Sequence, residues 1–289
     1  MVGDDIRGWL EGLVGSAPTV RLNARSAAEL VTNVRCGARR ALDAAQVDKA
    51  HLARRLGTEY DPQRGQSPCA LGRGNQFENR VKRDEYLQLL DLLREFGLET
   101  STVDVIDLKS GYPFAAQRAD AVLEERATKT REAIVEIATG KAPPGRLIDG
   151  GALVWTIGGV RVRLEADALA WWVGGFLRVI EVKSFPVEWG QIPKEKVVAA
   201  AWQTAVYVAA LQDLLAEEGL DPGLVSTEIY LVCPRNTGLK PVAIPHDVAP
   251  QLRLLRRHES KALDIAAIDR KSTRLNSSHP RLSRMPSSA

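Results

Sequence analysis

The chain has 289 residues, of which 45% are hydrophobic and 26% charged, a composition typical of a soluble globular protein with one large domain or two small ones. No run of about 18 apolar residues occurs, so no transmembrane helix is expected. The first residues, MVGDDIRGWLEG, are acidic and lack an apolar stretch, so no secretory signal is expected. Three widely spaced cysteines without a CxxC pair argue against a disulfide framework and indicate a reducing, cytoplasmic compartment.

The formal charge of +3 depends on residues 269–289, DRKSTRLNSSHPRLSRMPSSA. This stretch resembles the translation of a common sequencing-adapter oligonucleotide, because DRKSTRLNSSH and SRMPSSA both match in one reading frame. The alternative is a natural basic tail. The stretch carries five basic residues and one acidic residue, a net of +4, so the rest of the chain carries −1. Overall charge therefore does not indicate nucleic-acid binding, and we expect the natural C-terminus to be missing.

Apolar periodicity predicts helices over most of the first half of the chain. Ala, Leu and Val recur at three- and four-residue spacing over 26–56, and a loop rich in Gly and Pro follows. The next segment predicts a helix or helix pair that ends at Gly97. Residues 98–113 are expected to be extended or irregular, and a charged helix is predicted over 116–139.

The pattern then changes to strands. Three runs, ALVWTI, VRVRLEADALAWW and FLRVIEVKSF, are separated by the turn signals Gly158-Gly159 and Gly174-Gly175. An Ala- and Leu-rich helix closed by Gly219 follows, then a fourth strand, STEIYLVCP, and a last helix. Sequential strands should pair antiparallel, and the strand–helix–strand step should add a parallel strand. We therefore expect an α/β fold with a mixed sheet flanked by helices.

The third predicted strand carries an unusual pair of charges. Glu181 and Lys183 are two residues apart and so share one face of the strand. An acid and a lysine side by side in an apolar strand are costly unless something uses them. Asp167 lies one hairpin upstream, so pairing about Gly174-Gly175 can bring it close to Glu181. Two neighbouring carboxylates repel unless a cation lies between them, and Mg²⁺ suits such a site.

Such a cation would polarise a phosphate and acidify a bound water, and Lys183 could stabilise negative charge on the phosphate. The alternative is a salt-bridged surface strand. Gln203 and Tyr207 share a face of the following helix because they are four residues apart. Glu78 ends the segment GNQFE near the start of an upstream helix, where the helix dipole alone would favour an acid.

Four segments, GNQFE, LEADAL, IEVKS and QTAVY, resemble in this order the motifs of the RecB-like branch of the PD-(D/E)XK nucleases. The resemblance covers about residues 65–235. It implies a restriction-endonuclease-like αβββαβ core and a hydrolase that cleaves DNA phosphodiester bonds with Mg²⁺, or with Mn²⁺ in its place. Family motifs assign the site as follows: metal ligands Glu78, Asp167 and Glu181; catalytic residues Asp167, Glu181 and Lys183; substrate-binding residues Gln203 and Tyr207.

Two features depart from the family pattern. Glu165-Ala166 precede Asp167 where a glycine is frequent, so Glu165 is an alternative to Asp167 as the acid. Some relatives hold an iron–sulfur cluster, but Cys69 and Cys233 supply too few thiolates for one, and none is expected. The alternative function is a nuclease-fold module without cleavage that binds nucleic acid or a protein partner.

The resulting organisation is an N-terminal helical extension over 1–64, a PD-(D/E)XK nuclease domain over 65–268 and the adapter-like tail over 269–289. DNA is the expected substrate, and no membrane association is expected. No signal identifies a protein partner, the strandedness of the substrate, the choice between ends and internal bonds, or the oligomeric state.

Overall fold

The computed structural model describes residues 20–32, 37–58, 68–98, 103–113, 116–117, 119–142, 145–157, 160–188, 190–236 and 238–262. The predicted Gly158-Gly159 turn, Cys36 and the adapter-like tail lie outside these residues.

Helices dominate the first part of the described chain, and strands dominate the second. The helices are α1 (Ala24–Thr32), α2 (Gly37–Ala44), α3 (Lys49–Arg55), α4 (Pro68–Val81), α5 (Leu87–Arg94), α6 (Asp120–Ala138), α7 (Lys194–Glu217) and α8 (Ala249–Ala262). The strands are β1 (Asp104–Asp107), β2 (Arg146–Asp149), β3 (Ala152–Ile157), β4 (Val160–Glu165), β5 (Ala168–Val173), β6 (Phe176–Val182), β7 (Glu228–Pro234) and β8 (Pro241–Asp247).

Six of these strands form one mixed sheet in the order β1-β2-β5-β6-β7-β8, and β3 and β4 form a separate hairpin. The pairs β1–β2 and β6–β7 are parallel, whereas β2–β5, β5–β6 and β7–β8 are antiparallel. A helix connects each parallel pair, α6 in one case and α7 in the other, because a parallel pair needs a crossover. The expected α/β class, a mixed sheet flanked by helices, is confirmed at this level.

The predicted strands were wrong in three respects. VRVRLEADALAWW is not one strand, because Ala166 and Asp167 separate β4 from β5. The hairpin of β3 and β4 therefore leaves the main sheet, and β2 pairs with β5 in its place. Strand β2 was missed because its four residues are too few to show alternation. Strand β8 was also missed, since Pro241 and Pro245 disguise it as a loop, although proline is tolerated at a sheet edge.

The main sheet is buried on both faces. Phe77 of α4 packs in one apolar cluster with Ile180 and Tyr230 of the sheet. The alternate residues of the same strands, such as Val179, belong to a second cluster with Val206 of α7. Successive side chains of a strand point to opposite faces, so β6 presents Glu181 on the α7 side.

Helix α7 is a long, largely apolar helix. It has 24 residues and is long and apolar enough to cross a membrane by length and composition alone. However, 61% of its most apolar window is buried inside the protein. Leu30 of α1 lies in the same core cluster as Leu211 of α7, so the N-terminal helices share the core of the sheet. The helix is therefore a core helix of this fold.

The turn between β5 and β6 and a β-bulge in β5 together set the register on which the polar residues depend. Val173 pairs with Phe176, and Gly174 and Gly175 have φ angles of +60° and +83°. A two-residue turn of this kind needs positive φ at both positions, which glycine adopts without strain. A β-bulge between Trp171 and Val173 then shifts the pairing by one residue. Ala168 therefore pairs with Ile180, which places the residue before β5 beside the end of β6.

The turn that follows β2 also depends on a glycine, Gly150. Gly150 has a φ of +63°, and its carbonyl accepts a hydrogen bond from Nε of Arg126 at 3.2 Å. The Arg126 side chain is fully buried, and its Nη1 also donates to the carbonyl of Gln117 at 3.1 Å. A Cβ at position 150 would lie 2.8 Å from Nη2 of Arg126 and 2.6 Å from Cγ of Lys109. The turn therefore has no space for a side chain.

Gly150→Ala is expected to lower the free energy of unfolding by roughly 1–2 kcal/mol from the left-handed backbone alone, with the displacement of Arg126 in addition. Urea unfolding followed by circular dichroism measures this change. Gly111→Ala is the matched control, because a Cβ there meets nothing within 4 Å. Equal stability of the two variants would contradict this account of the turn.

Candidate functional site

Charged side chains gather at the sheet edge where β2, β6 and β7 end and β5 begins. Asp149 is the last residue of β2, Asp167 directly precedes β5, and Glu181 pairs with Leu231 next to the end of β6. Lys183 follows β6, and its backbone N–H donates to the carbonyl of Val232 at 2.9 Å. The antiparallel β2–β5–β6 arrangement therefore brings together acids that are up to 32 positions apart in the sequence.

Glu181 is the most deeply buried acid of this edge, with 0% of the residue exposed. Its Oε1 accepts hydrogen bonds from Nζ of Lys183 and from Nε2 of Gln203, the latter at 2.7 Å. Its Oε2 is buried and has no hydrogen-bond partner among the described residues. A buried acceptor without a donor costs free energy, so this oxygen suits a cation.

Asp167 is held from two sides. Its Oδ2 accepts the backbone N–H of Val182 at 2.8 Å, which fixes the carboxylate against β6. Its carbonyl oxygen lies 3.3 Å from Nζ of Lys82, on α4. The Asp167 carboxylate therefore lies beside β6 at the residue that follows Glu181.

The surroundings of Asp167 and Glu181 disfavour the charged form of both acids. Burial and the negative charge of Asp167 together raise the pKa of Glu181 from 4.5 to about 7, and the positive charge of Lys183 offsets them only in part. Burial also raises the pKa of Asp167, with the charge of Glu78 acting in the same direction. Both carboxylates would ionise more readily with a cation between them.

Lys183 remains a cation at this edge. Burial lowers its pKa, but the negative charges of Glu181 and Asp167 outweigh burial and raise the pKa above the usual lysine value. Its Nζ lies 3.3 Å from Oε1 of Gln203 in addition to its bond to Glu181. The spacing of two residues thus places Glu181 and Lys183 on one face, as the sequence predicts.

Helix α7 supplies the other two predicted residues. Nε2 of Gln203 lies 3.4 Å from the hydroxyl of Tyr207, which confirms that they share one face. The Tyr207 hydroxyl donates to the carbonyl of Glu165 at 2.6 Å. Burial, with the charges of Glu181 and Asp167, raises the pKa of Tyr207 well above its usual value, so the hydroxyl stays a neutral donor. Tyr207 therefore ties α7 to the chain just before Asp167.

The carboxylate of Glu165 points to a different set of cations. Its Oε1 lies 2.9 Å from Nζ of Lys109 and 3.4 Å from Nη2 of Arg126. Burial raises the pKa of Glu165, but these two cations outweigh it and lower the pKa below its usual value. Of the two candidate acids, Asp167 is the one whose carboxylate bonds to the strand that carries Glu181.

Glu78 reaches the edge from α4, on the opposite side from α7. Its Oε1 accepts a hydrogen bond from Nζ of Lys82 at 2.6 Å. The charge of Glu78 raises the pKa of both Asp167 and Glu181, so its carboxylate lies within electrostatic reach of both. It does not bond directly to either acid, and its side chain is 32% exposed.

Three further residues complete the edge, and sequence reasoning missed all of them. Nζ of Lys82 lies 2.5 Å from Oδ1 of Asp149, and the hydroxyl of Tyr86 donates to Oδ2 of Asp149 at 2.7 Å. Lys82 could have been found, because it follows Glu78 by four residues on the same helix. Asp149 gave no signal, since its strand is only four residues long.

We refer to Glu78, Asp149, Asp167 and Glu181 with Lys82 and Lys183 as the charged cluster. Four carboxylates against two ammonium groups leave an excess of two negative charges when all are ionised. Among the described residues, no group of three or more His, Cys, Asp or Glu side chains stands ready to hold a metal ion. Hard oxygen donors and an excess of negative charge are the features that attract divalent cations of the Mg²⁺ type.

Cys233 lies in β7, close enough to Lys183 and Glu181 for their charges to act on its thiol. Cys233 is a free, buried thiol in β7. Burial raises its pKa to about 12, so it is a neutral, unreactive thiol. The side chains of Cys36 and Cys69 lie outside the described part of the chain.

Comparisons with known proteins give no identification. No family model matches the chain, and no curated protein matches it. Among solved structures, one titled "Crystal structure of SSO0001" is 13% identical, and the match covers 70% of this chain and 98% of that one at a TM-score of 0.23. A likeness at this TM-score carries no argument about fold or function.

The raised pKa of Glu181 makes stability depend on pH. The folded protein holds the proton more tightly than the unfolded chain, so this stabilisation is complete below about pH 4.5 and is lost as the pH rises through about 7. Without metal, Glu181→Gln should therefore gain up to roughly 3 kcal/mol of unfolding free energy over the wild type between pH 5 and pH 8. Urea unfolding in EDTA measures it.

Glu165→Gln provides the control of opposite sign. Its lowered pKa stabilises the fold above the unfolded pKa, and that stabilisation is lost as the pH falls through the folded value. This variant should lose stability relative to the wild type at pH 8. A pH-independent difference between wild type and Glu181→Gln would show that Glu181 ionises normally.

Proposed function

We propose that this protein is a divalent-metal-dependent nuclease of the RecB-like PD-(D/E)XK type that hydrolyses DNA phosphodiester bonds. The observation that carries the proposal is the Glu181 side chain. It is fully buried beside Asp167, its Oε1 is bonded to Lys183 and Gln203, and its Oε2 has no partner among the described residues. An ordinary core does not bury an acid in this way.

The topology is compatible with the αβββαβ core that the motifs imply. Strands β2, β5 and β6 form the antiparallel succession, α7 crosses over, and β7 adds the parallel strand. Helix α4, which carries Glu78, precedes them. In this assignment the β3–β4 hairpin is an insertion between the first and second core strands.

The proposed cation is Mg²⁺, with Mn²⁺ as a substitute. Asp167, Glu181 and Glu78 would hold it, since all three carboxylates belong to the charged cluster. When bound, such a cation polarises a phosphate oxygen and makes a coordinated water more acidic. One divalent ion would also neutralise the excess of two negative charges.

The protein's own groups have separable tasks in this proposal. Lys183 is a protonated ammonium fixed by Glu181 and Gln203, so it can stabilise negative charge on a phosphate without reorganisation. Gln203 orients the Glu181 carboxylate through its Nε2. Tyr207 holds the carbonyl of Glu165 and thereby positions the backbone that leads into Asp167. Gln203 and Tyr207 are therefore positioning residues, whereas the resemblance also allows contact with the substrate.

Mg²⁺ binding should stabilise the protein more strongly at high pH. The proton on Glu181 must leave before its carboxylate can bind the cation, so saturating Mg²⁺ should raise Tm by roughly 4 °C or more at pH 8 and by less at pH 5.5. Differential scanning fluorimetry at constant ionic strength measures both shifts. Glu181→Gln should lose the shift, and Glu165→Gln should keep it. An equal shift in wild type and Glu181→Gln would place the metal elsewhere.

Cleavage itself is tested with labelled single-stranded and double-stranded DNA, with Mg²⁺ and with EDTA. Asp167→Asn and Lys183→Met should each slow single-turnover cleavage at least about 100-fold, because one removes a carboxylate from the cluster and the other its ammonium. Glu165→Gln and the surface variant Lys129→Met should stay within about threefold of the wild type.

Three results would contradict parts of this proposal. Unchanged cutting by Lys183→Met would indicate a contaminating nuclease. A loss with Glu165→Gln as large as with Asp167→Asn would move the site to the other acid. Mg²⁺ binding without cleavage of any DNA would favour the inactive nuclease-fold module that binds nucleic acid or a protein partner.

A further inference from the structure

Lys82 occupies an unusual position for a lysine. Its ammonium group has three acceptors within reach: Oδ1 of Asp149 at 2.5 Å, Oε1 of Glu78 at 2.6 Å and the carbonyl oxygen of Asp167 at 3.3 Å. An ammonium has three N–H donors, so each has a partner. The side chain is only 12% exposed. Lys82 is therefore a largely buried, fully hydrogen-bonded member of the charged cluster.

The Asp149 carboxylate anchors this lysine. Asp149 is 6% exposed, and its second oxygen accepts the hydroxyl of Tyr86. Tyr86 itself has a φ of +66° at the start of α5, a conformation that a bulky residue rarely adopts. The pair of Asp149 and Tyr86 thus keeps the ammonium beside Glu78 and Asp167 from a fixed point on β2.

We propose that Lys82 is an internal competitor of the divalent cation: its ammonium holds Oε1 of Glu78 in the metal-free protein and moves off this carboxylate when Glu78 binds the metal. This inference rests on the proposed function, since it assumes a metal bound by Glu78, Asp167 and Glu181. In the metal-free protein Lys82 neutralises part of the acid excess. With metal bound, it keeps its bonds to Asp149 and to the Asp167 carbonyl.

The competition follows from charge and reach. A lysine and a divalent cation that share one carboxylate repel each other, and at a partly buried site this repulsion is only weakly screened. The flexible four-carbon stem of lysine lets the ammonium move from one acceptor to another without leaving the cluster. Lys82 therefore weakens metal binding and stabilises the protein without metal.

The test is a Mg²⁺ titration of the full chain at pH 8 by isothermal calorimetry, with no substrate. Lys82→Met should bind Mg²⁺ at least about fivefold more tightly than the wild type. Lys82→Arg keeps the charge and should stay near the wild-type affinity. Lys129→Met removes a positive charge from an exposed ion pair on α6 and should leave the affinity unchanged.

A double-variant cycle shows whether Lys82 acts through Glu78. In a Glu78→Gln background, the gain from Lys82→Met should shrink to less than about twofold, because the contested carboxylate is gone. A full gain in that background would mean that Lys82 acts on the metal by charge alone, and would overturn the competition for Glu78.

Lys82→Met leaves the Asp149 carboxylate buried without a cation, which can prevent folding. The double variant Lys82→Met with Asp149→Asn removes both charges and keeps an acceptor for Tyr86, and it should also bind Mg²⁺ more tightly. Unchanged or weaker Mg²⁺ binding by a folded variant would overturn the inference. No Mg²⁺ binding by the wild type or any variant would remove the metal centre itself, and with it the proposed function.

Discussion

The burial of the Glu181 carboxylate beside Asp167 is the constraint on which the rest of this sheet edge depends. An acid without water needs an opposite charge and hydrogen-bond donors. Lys183, directly after β6, supplies the opposite charge, and Gln203 of α7 supplies a hydrogen-bond donor. The backbone N–H of Val182 in β6 bonds to Asp167. The pKa of Glu181 still lies near neutrality, so the protein's own groups compensate the burial only in part.

Residues from both faces of the sheet reach the same pair of acids. Residues from α7 approach from one side and residues from α4 from the other, because the edge is open to both helical layers. Gln203 and Glu78 can therefore act on the same pair of acids although their helices never share a face of the sheet. The two residues also differ in how firmly they are held. Gln203 is hydrogen-bonded to Glu181 on the α7 side of the sheet, whereas the side chain of Glu78 is 32% exposed and can adapt.

Much of this edge could be predicted from the sequence, because it depends on short-range rules. The two-residue spacing of Glu181 and Lys183, the glycine turn before β6 and the four-residue spacing of Gln203 and Tyr207 each encode one local geometry. These rules held in the structure. They place residues within one element or one hairpin, where sequence distance and spatial distance are closely related.

The remaining features depend on contacts that no local rule encodes. Asp149 joins the edge only because β2 pairs with β5, and the sequence in between predicts a continuous run of strands. Lys82 was overlooked because a lysine on a charged helix looks like a solvated residue until its partners are known. The roles assigned to the motif residues remain predictions, and the restriction-endonuclease-like core remains a proposal.

The β3–β4 hairpin begins and ends at neighbouring positions beside the main sheet. Its first pair joins Ala152 to Glu165, the N–H of Ala166 donates to the carbonyl of Gly151 at 2.9 Å, and Asp149 pairs with Ala168 directly below. These contacts close the hairpin at its base. The distance between Asp149 and Asp167 therefore does not depend on the length of the hairpin. A related chain could lengthen, shorten or replace this hairpin and keep both acids in position.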